Sequence, residues 1–595
     1  MRVGLLTEGG YPYATGEALV WCDRLVRGLD QHDFEVYALS RDARQESAGR
    51  AELPPSVRRV RTAPLWGEPD GRRSYRAYGR RQRRRFAEHF GDLAVAISVP
   101  GGVGRTEGPG GPCDAQADRF ASGLHGLADL AHDAGGLSAA LRSEDALRTL
   151  ERACHTPGAP RAAHRARVGD LLAVTEALER ALRPLSLDWY GGVGRDPGLS
   201  DADLCHATSG GAAALPGLLA KRRFGTPLLV TEYGVRLREH YLRRPAGRDE
   251  RSGPVRALLA AFQRRLTAEA YAQAALVTPG NTHARRWQER CGASPERLRT
   301  VYPGMDAACF AEVGEGGAGE DRTLVWVGRL EPAKDVVALL HAFAEVRRWQ
   351  PDARLRVIET RRPGDDPSGG DRLGGDRLGG DRSGDDYAAH CRALADHLFP
   401  DEAANAHTPG DNPVSFEHVG DPEVPTLADA YAAGAVVVLS SVVEGFPVGL
   451  VEAMFCGRAT VSTDAGAVCE AIGGTGLVVP PRNPRALADA CLALLRDPER
   501  RARLGAAARA RALELFTAEQ NVVAFRGIYL ELMSHCPVRR EEVGAGGAPL
   551  PFARPPEAHI PGGWTAGQRP AHTPGWAEAG PPPRQPLAAL SEEGA

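Results

Sequence analysis

Short apolar runs of four to six residues recur along the chain, and stretches with helical periodicity separate them. Such alternation is the pattern of βαβ units, in which each parallel strand is followed by a crossover helix. The runs fall at Val3–Thr7, Glu35–Leu39, Leu204–Thr208, Pro227–Thr231 and Ala275–Thr278, and again at Thr323–Gly328, Arg354–Glu359, Val414–His418, Ala435–Ser440 and Thr460–Thr463. Two successive doubly wound α/β sheets are the simplest arrangement that accounts for them. Between about 100 and 200 the alternation gives way to helical stretches, read as an insertion into the first domain over about 105–195. The expected division is a first domain over 1–303 and a second over 304–536, whose last helix crosses back to the first. Residues 367–384 repeat GGDR three times and are expected to form a flexible surface loop, and residues 537–595, rich in Pro, Gly and Ala, are expected to form a disordered tail; neither stretch has a pattern that buries a core.

Composition narrows the function classes. The 73 basic and 76 acidic residues nearly balance, against a general nucleic-acid binder. The 11 cysteines include no C-x-x-C pair, so neither a zinc cluster nor a disulfide framework is indicated. Met1–Gly10 lacks the plan of a secretory signal, and no apolar run reaches the length of a membrane span, which leads to the expectation of a cytoplasmic protein. Lysine occurs only at Lys221 and Lys334, and neither precedes Ser or Thr, which excludes a Walker loop. In so arginine-rich a chain, a retained lysine marks a place where a compact ammonium is wanted. Residues 72–90 place Tyr75, Tyr78, Phe86 and Phe90 on one helical face with eight arginines largely elsewhere. A core-packed helix is the first reading, and docking on an anionic membrane surface is the second.

Two segments carry candidate chemistry. In VVEGFPVGLVEAMFCG (442–457) a strand gives way to a loop with Glu444 and Gly445, then to a helix starting near Val448 that bears Gly449, Leu450 and Glu452. Ionised carboxylates accept several hydrogen bonds from sugar hydroxyls, and a helix start offers unpaired N–H groups to an anion. In VWVGRLEPAKDVVALLHAF (325–343) a strand ends at Gly328, Arg329 lies in the loop, and Lys334 stands at the following helix start. Cations there oppose the helix dipole, and a bound phosphate would explain them. Asp201 and Asp203 form an Asp-x-Asp, but just before a strand, where loop or cap roles are expected. His206, His283 and Cys456 are read as structural residues. No Gly-x-Ser-x-Gly elbow or His-Glu-x-x-His is present.

Together these segments resemble family 4 of the retaining glycosyltransferases, which have the GT-B fold of two facing Rossmann-like domains. Residues 5–21, 53–66, 205–234 and 277–306 resemble the PelF-type exopolysaccharide glycosyltransferases. The resemblance implies a retaining, metal-independent enzyme with no cofactor. Its donor would be a nucleotide diphosphate sugar, a UDP-sugar among the candidates, and its acceptor is open. Arg329 and Lys334 would hold the diphosphate and Glu452 the ribose, while Glu444 would face the donor sugar. The backbone around Gly445, Val448, Gly449 and Leu450 would cap the diphosphate, and Gly16 would approach from the opposite domain. Three residues depart from the PelF pattern: Glu17 replaces a glycine, Tyr233 a histidine and Thr360 a glycine. A nucleotide-sugar epimerase and a donor-binding partner in a polysaccharide assembly complex, peripheral to the inner face of a membrane, are the competing readings.

Overall fold

The computed structural model describes residues 1–13, 17–47, 49–67, 76–99, 115–191, 198–242, 252–315, 319–360, 382–400, 412–538, 542–543 and 549–550. Two six-stranded sheets dominate it. The first comprises β1 (Arg2–Glu8), β2 (Asp33–Ser40), β3 (Val57–Pro64), β4 (Leu204–Ala207), β5 (Leu228–Glu232) and β6 (Leu276–Pro279), in the order β3-β2-β1-β4-β5-β6. The second comprises β7 (Glu320–Gly328), β8 (Arg354–Glu359), β9 (Val414–His418), β10 (Gly434–Leu439), β11 (Ala459–Thr463) and β12 (Leu477–Val479), in the order β12-β11-β10-β7-β8-β9. Every pairing within both sheets is parallel.

The two orders are the same. Counted from its own first strand, each sheet runs 3-2-1-4-5-6, so each has a switch point between its first and fourth strands. Ligands of doubly wound sheets bind outside the carboxyl ends of the strands at that point. In the second sheet the relevant strands are β7 and β10. The connections that leave them are 329–335 and 440–447.

Burial on both faces explains why the inner strands read as continuous apolar runs. Along β7 and β10, Leu324, Trp326, Val436 and Val438 enter one core cluster, while Val325, Val327, Val437 and Leu439 enter the other. All ten strands anticipated from the sequence are present. The two that the apolar pattern did not reveal, β3 and β12, are both edge strands. β3 carries three arginines in eight residues, and β12 is three residues long and follows a glycine-rich turn.

The helical layer of the first domain includes Ala115–Ala134, Glu144–Cys154 and Val168–Leu182. The basic helix begins later than its sequence suggested, at Arg80, and continues to Ser98. Gly79, extended at φ −72° and ψ 177°, is its N-cap. Tyr78 precedes the helix, and Tyr75 lies outside the described residues. Phe86 and Phe90 stack at 5.3 Å and are buried in the first core with Leu93 and Ile97. Tyr78, Phe86 and Phe90 are therefore consumed by packing, as the first reading expected. Among the described residues no helix is long and apolar enough to cross one.

Two stretches of chain pass between the sheets. Residues 301–305 leave the first, and Met305 exchanges backbone hydrogen bonds with the returning segment, through Met305 N to Phe516 O and Ala518 N to Met305 O. Helix Ala518–His535 then packs on the first sheet, burying Phe525, Ile528, Tyr529 and Leu532 with Val3, Leu5, Trp21 and Phe34. The GGDR repeats lie outside the described residues up to 381, and helix Arg382–Leu398 opens at the end of that stretch. Of 537–595, Glu542–Val543 pairs antiparallel with Pro549–Leu550, and almost all the rest falls outside the described residues.

Candidate functional site

The connections leaving β7 and β10 are stitched to each other. Pro332–Lys334 forms a 3₁₀ turn in which Lys334 N donates to Glu331 O at 2.9 Å. Val442 N donates to Ala333 O at 2.8 Å, and Ser440 Oγ donates to Lys334 O at 2.6 Å. Asp335 follows in the left-handed region at φ +47°, a conformation its short polar side chain tolerates. Its carboxylate accepts from Ala338 N at 3.3 Å and caps helix Val336–Trp349. The lysine thus precedes the helix cap, with its backbone fixed from the neighbouring strand's loop.

Fixing that backbone brings Lys334 Nζ to 2.7 Å from Glu444 Oε2. Both side chains are mostly sheltered, 23% and 11% exposed, so the pair is a charge-assisted hydrogen bond little weakened by solvent. Nothing in the sequence indicated this contact, because the two residues stand 110 positions apart. Arg329 is more open, 56% exposed, with Nε 3.3 Å from Glu331 Oε1.

Helix Val448–Phe455 starts at Pro447, which has no side chain to cap it. A Cβ on Gly445 would meet nothing within 4 Å, so the loop presents open space there. Gly449 is different: a Cβ would come within 3.1 Å of the Tyr431 hydroxyl. That hydroxyl donates to Glu452 Oε2 at 2.7 Å, and Tyr431 is buried. Burial and the Glu452 charge hold the Tyr431 hydroxyl protonated well above the usual phenol range. Tyr431 therefore explains Gly449 and orients Glu452, with no motif to announce it. Leu450 N is occupied within the turn by Pro447 O at 3.1 Å, and Val448 N by Phe446 O at 3.0 Å.

Residues of the first domain face this rim. Arg238, on helix Arg236–Leu242 after β5, donates from Nη2 to the main-chain oxygen of Glu444 at 2.8 Å. The Glu470 carboxylate accepts from Thr282 N at 2.7 Å and from the Tyr302 hydroxyl at 2.9 Å. Tyr233 lies edge-on to Trp21 with ring centres 5.3 Å apart, and its hydroxyl accepts from Asn521 Nδ2 at 3.2 Å. Burial pushes its pKa up. Gly16 lies outside the described residues, and Glu17 opens helix Glu17–Gly28. Thr360 N donates to Gly328 O at 2.9 Å, so the residue continues the β7–β8 pairing.

Asp201, Asp203, His206 and Cys456 have structural employment, whereas His283 Nε2 is buried with no hydrogen-bond partner among the described residues. Asp201 pairs with the Arg2 guanidinium and Asp203 accepts from Arg2 N at 2.8 Å, at the end of the sheet away from the crevice. His206 is fully buried between the hydroxyls of Tyr529 at 2.7 Å and Thr231 at 2.6 Å. Burial drops its pKa to about 3, which leaves a neutral ring with no path to a substrate. His283 is half-buried; burial first, then the charges of Arg238, Arg286 and Arg290, lower its pKa. Cys456 lies in the second domain's core, its thiol pushed up to about 12 by burial. Among the described residues no group of three His, Cys, Asp or Glu side chains could hold a metal ion.

Two facing doubly wound domains, with a cation–carboxylate pair at the switch point of the second, have the architecture of the GT-B fold. Residues 403–497 match the family described as Glycosyl transferases group 1, a span that includes Glu444 and Glu452. Residues 1–296 match a domain of unknown function, DUF3492. The chain is 31% identical over 258 residues to the D-inositol 3-phosphate glycosyltransferase of Kineococcus radiotolerans, covering 39% of this chain and 52% of that protein. It is 29% identical over 347 residues to the one from Kribbella flavida, covering 56% and 72% respectively. The chain thus spans about half the length of the first of these relatives. Among solved structures, sucrose-phosphate synthase from Thermosynechococcus elongatus aligns with a TM-score of 0.49 at 15% identity, covering 90% of this chain and 99% of that one. Anabaena HepE in complex with UDP and glucose aligns with a TM-score of 0.47 at 13% identity, covering 89% and 99%.

Proposed function

We propose that the chain is a retaining glycosyltransferase that moves a sugar from a nucleotide diphosphate donor to an acceptor hydroxyl. The observation that carries the proposal is the Lys334–Glu444 pair at the switch-point crevice, of which Glu444 lies within residues 403–497, the span that matches the group 1 glycosyltransferases. Arg329 and Lys334 neutralise the diphosphate, Glu452 takes the ribose hydroxyls, and Glu444 faces the sugar. Gly445, Val448, Gly449 and Leu450 line the approach to the helix start, and Gly16, outside the described residues, is the counterpart that the resemblance implies from the other domain.

The step is a same-face displacement. The bond between the anomeric carbon and the phosphate oxygen breaks as the acceptor oxygen bonds that carbon, and the acceptor's proton passes to the departing phosphate. Fixed cations beside the growing negative charge do the work for which other systems use a metal. The finer assignment, to PelF-type enzymes of exopolysaccharide synthesis, is supported by residues 5–21, 53–66, 205–234 and 277–306.

The test is incubation of the full chain with a nucleotide-sugar panel in excess EDTA, with and without acceptors. D-inositol 3-phosphate belongs among the acceptors because the relatives' names carry it. Release of nucleoside diphosphate with retained anomeric configuration in the product is expected. A new sugar nucleotide formed from donor alone would favour an epimerase, and activity restored only by Mn²⁺ would remove the metal-independent mechanism.

A further inference from the structure

The main-chain oxygen of Glu444 is confined from two directions. On one side stands Gly466, at φ +60°, where a Cβ would come within 2.4 Å of that oxygen and 2.6 Å of the Gly445 oxygen. The loop fits only because residue 466 has no side chain. On the other side stands Arg238, whose Nη2 donates to the same oxygen at 2.8 Å. Arg238 is 206 positions away and belongs to the first domain, so this bond spans the crevice.

Arg238 is half-buried, and burial is the main influence on it, lowering its pKa against the pull of Glu239 and Glu444. Among the described residues it makes this one hydrogen bond and no salt bridge. A desolvated cation usually sits against a carboxylate, where the charge is repaid. Here the nearest functional carboxylate, that of Glu444, already belongs to Lys334 at 2.7 Å. The two cations therefore grip one residue, Lys334 by its side chain and Arg238 by its backbone, from opposite domains.

We infer that Arg238 is a positioning residue that couples closure of the crevice to the placement of Glu444. The inference rests on the reading that Glu444 faces the donor sugar. When the domains separate, the Arg238 bond must break, because its donor and acceptor move apart. The loop then keeps its second-domain contacts: Val442 N and Val443 N on Ala333 O, Ala467 N on Gly445 O, Thr463 Oγ1 on Ser441 O and Lys334 Nζ on the Glu444 carboxylate, while the main-chain oxygen of Glu444 loses the Arg238 donor. Arg329, Lys334 and helix Val448–Phe455 all belong to the second domain, so the nucleotide binds without Arg238. Turnover waits for it. A loop completed only on closure keeps a bound donor from reacting with water while the crevice is open.

Hydrogen exchange on the full chain tests this without any substrate. In Arg238→Ala, amides of 442–448 and 465–468 should exchange about tenfold faster, with β7 and β10 unchanged. Arg238→Lys, which still donates one hydrogen bond, should restore most of the protection. Unchanged exchange in Arg238→Ala overturns the inference, and so does a general acceleration across the first domain, which would mark Arg238 as a structural residue there. With UDP-glucose as probe, Arg238→Ala should bind within threefold of the parent while donor turnover falls about a hundredfold. If Glu444→Gln abolishes turnover and Arg238→Ala does not, the inference alone fails. If Glu444→Gln turns over normally while the exchange result holds, the reading of Glu444 fails and the coupling of its loop to Arg238 stands.

Discussion

Replacing Lys334 separates the demand for a charge from the demand for a particular charge. Its Nζ lies 2.7 Å from Glu444 Oε2, with both side chains largely out of water. At an effective dielectric of about 20, Coulomb attraction at that distance is on the order of 6 kcal/mol before desolvation is subtracted. What survives in such pairs is roughly 1.5–3 kcal/mol. Lys334→Ala removes that contribution and leaves the Glu444 carboxylate sheltered and unneutralised, so the melting temperature should fall. On the proposed mechanism it also removes a cation that faces the departing diphosphate. Loss of a preorganised group of this kind costs about 10²–10³ in kcat, or roughly 2.7–4 kcal/mol. Lys334→Arg keeps the charge but not the shape. A planar fork cannot deliver a point contact to Glu444 while Ser440 Oγ and Val442 N hold the backbone where it is. Initial rates of nucleoside diphosphate release at saturating donor, measured beside melting curves, distinguish the two effects. Full kcat in Lys334→Ala would refute the phosphate assignment, and full kcat in Lys334→Arg would show that the retained lysine carries no information.

Three further outcomes follow from the geometry. Glu452→Ala should raise the donor KM with little change in kcat, because ribose contacts are equal in the ground and transition states; Tyr431→Phe, which removes the donor at 2.7 Å, should do the same more weakly. A fall confined to kcat in either variant would contradict the ribose role. Gly466→Ala should destabilise the chain and depress turnover, since its Cβ would collide with two carbonyl oxygens at a left-handed φ; unaltered melting and activity would show that the loop accommodates it. His206, depressed by burial to about 3, stays neutral in the fold while the unfolded chain takes up a proton below about pH 6.5. Stability from this group is thus fully present above pH 6.5 and is lost toward pH 3, by up to about 1.4 kcal/mol per pH unit. His32, depressed to about 4, adds in the same direction. In His206→Gln the acid limb of the melting temperature should flatten; an unchanged slope would contradict the assignment.

The sheet strands were legible where burial on both faces demanded unbroken apolar runs, as in β10, whose six residues are all buried. Edge strands escaped notice because solvent on one side permits arginine, as in β3, or extreme brevity, as in β12. The site divided in the same way. Arg329, Lys334, Glu444 and Glu452 stood out through their place after strands and at helix starts. Tyr431 did not, because an aromatic in a helix before a strand is ordinary core material until its hydroxyl is seen on Glu452. Arg238 was hidden by composition: where arginine supplies nearly all the positive charge, one more has no signature. Its importance arises from a contact between domains, and such contacts leave no local pattern in sequence.

The most direct test of the central claim is equilibrium binding of UDP-, GDP-, ADP- and dTDP-sugars to the full chain and to an Arg329→Ala/Lys334→Ala variant, read as shifts in stability. One member of the panel should stabilise the parent chain, by about 2.7 kcal/mol at 100 times its Kd, and the double variant, referred to its own unliganded stability, should lose most of that shift. A panel with no stabilising member, or an equal shift in the variant, would contradict the placement of a nucleotide diphosphate at the β7–β10 crevice.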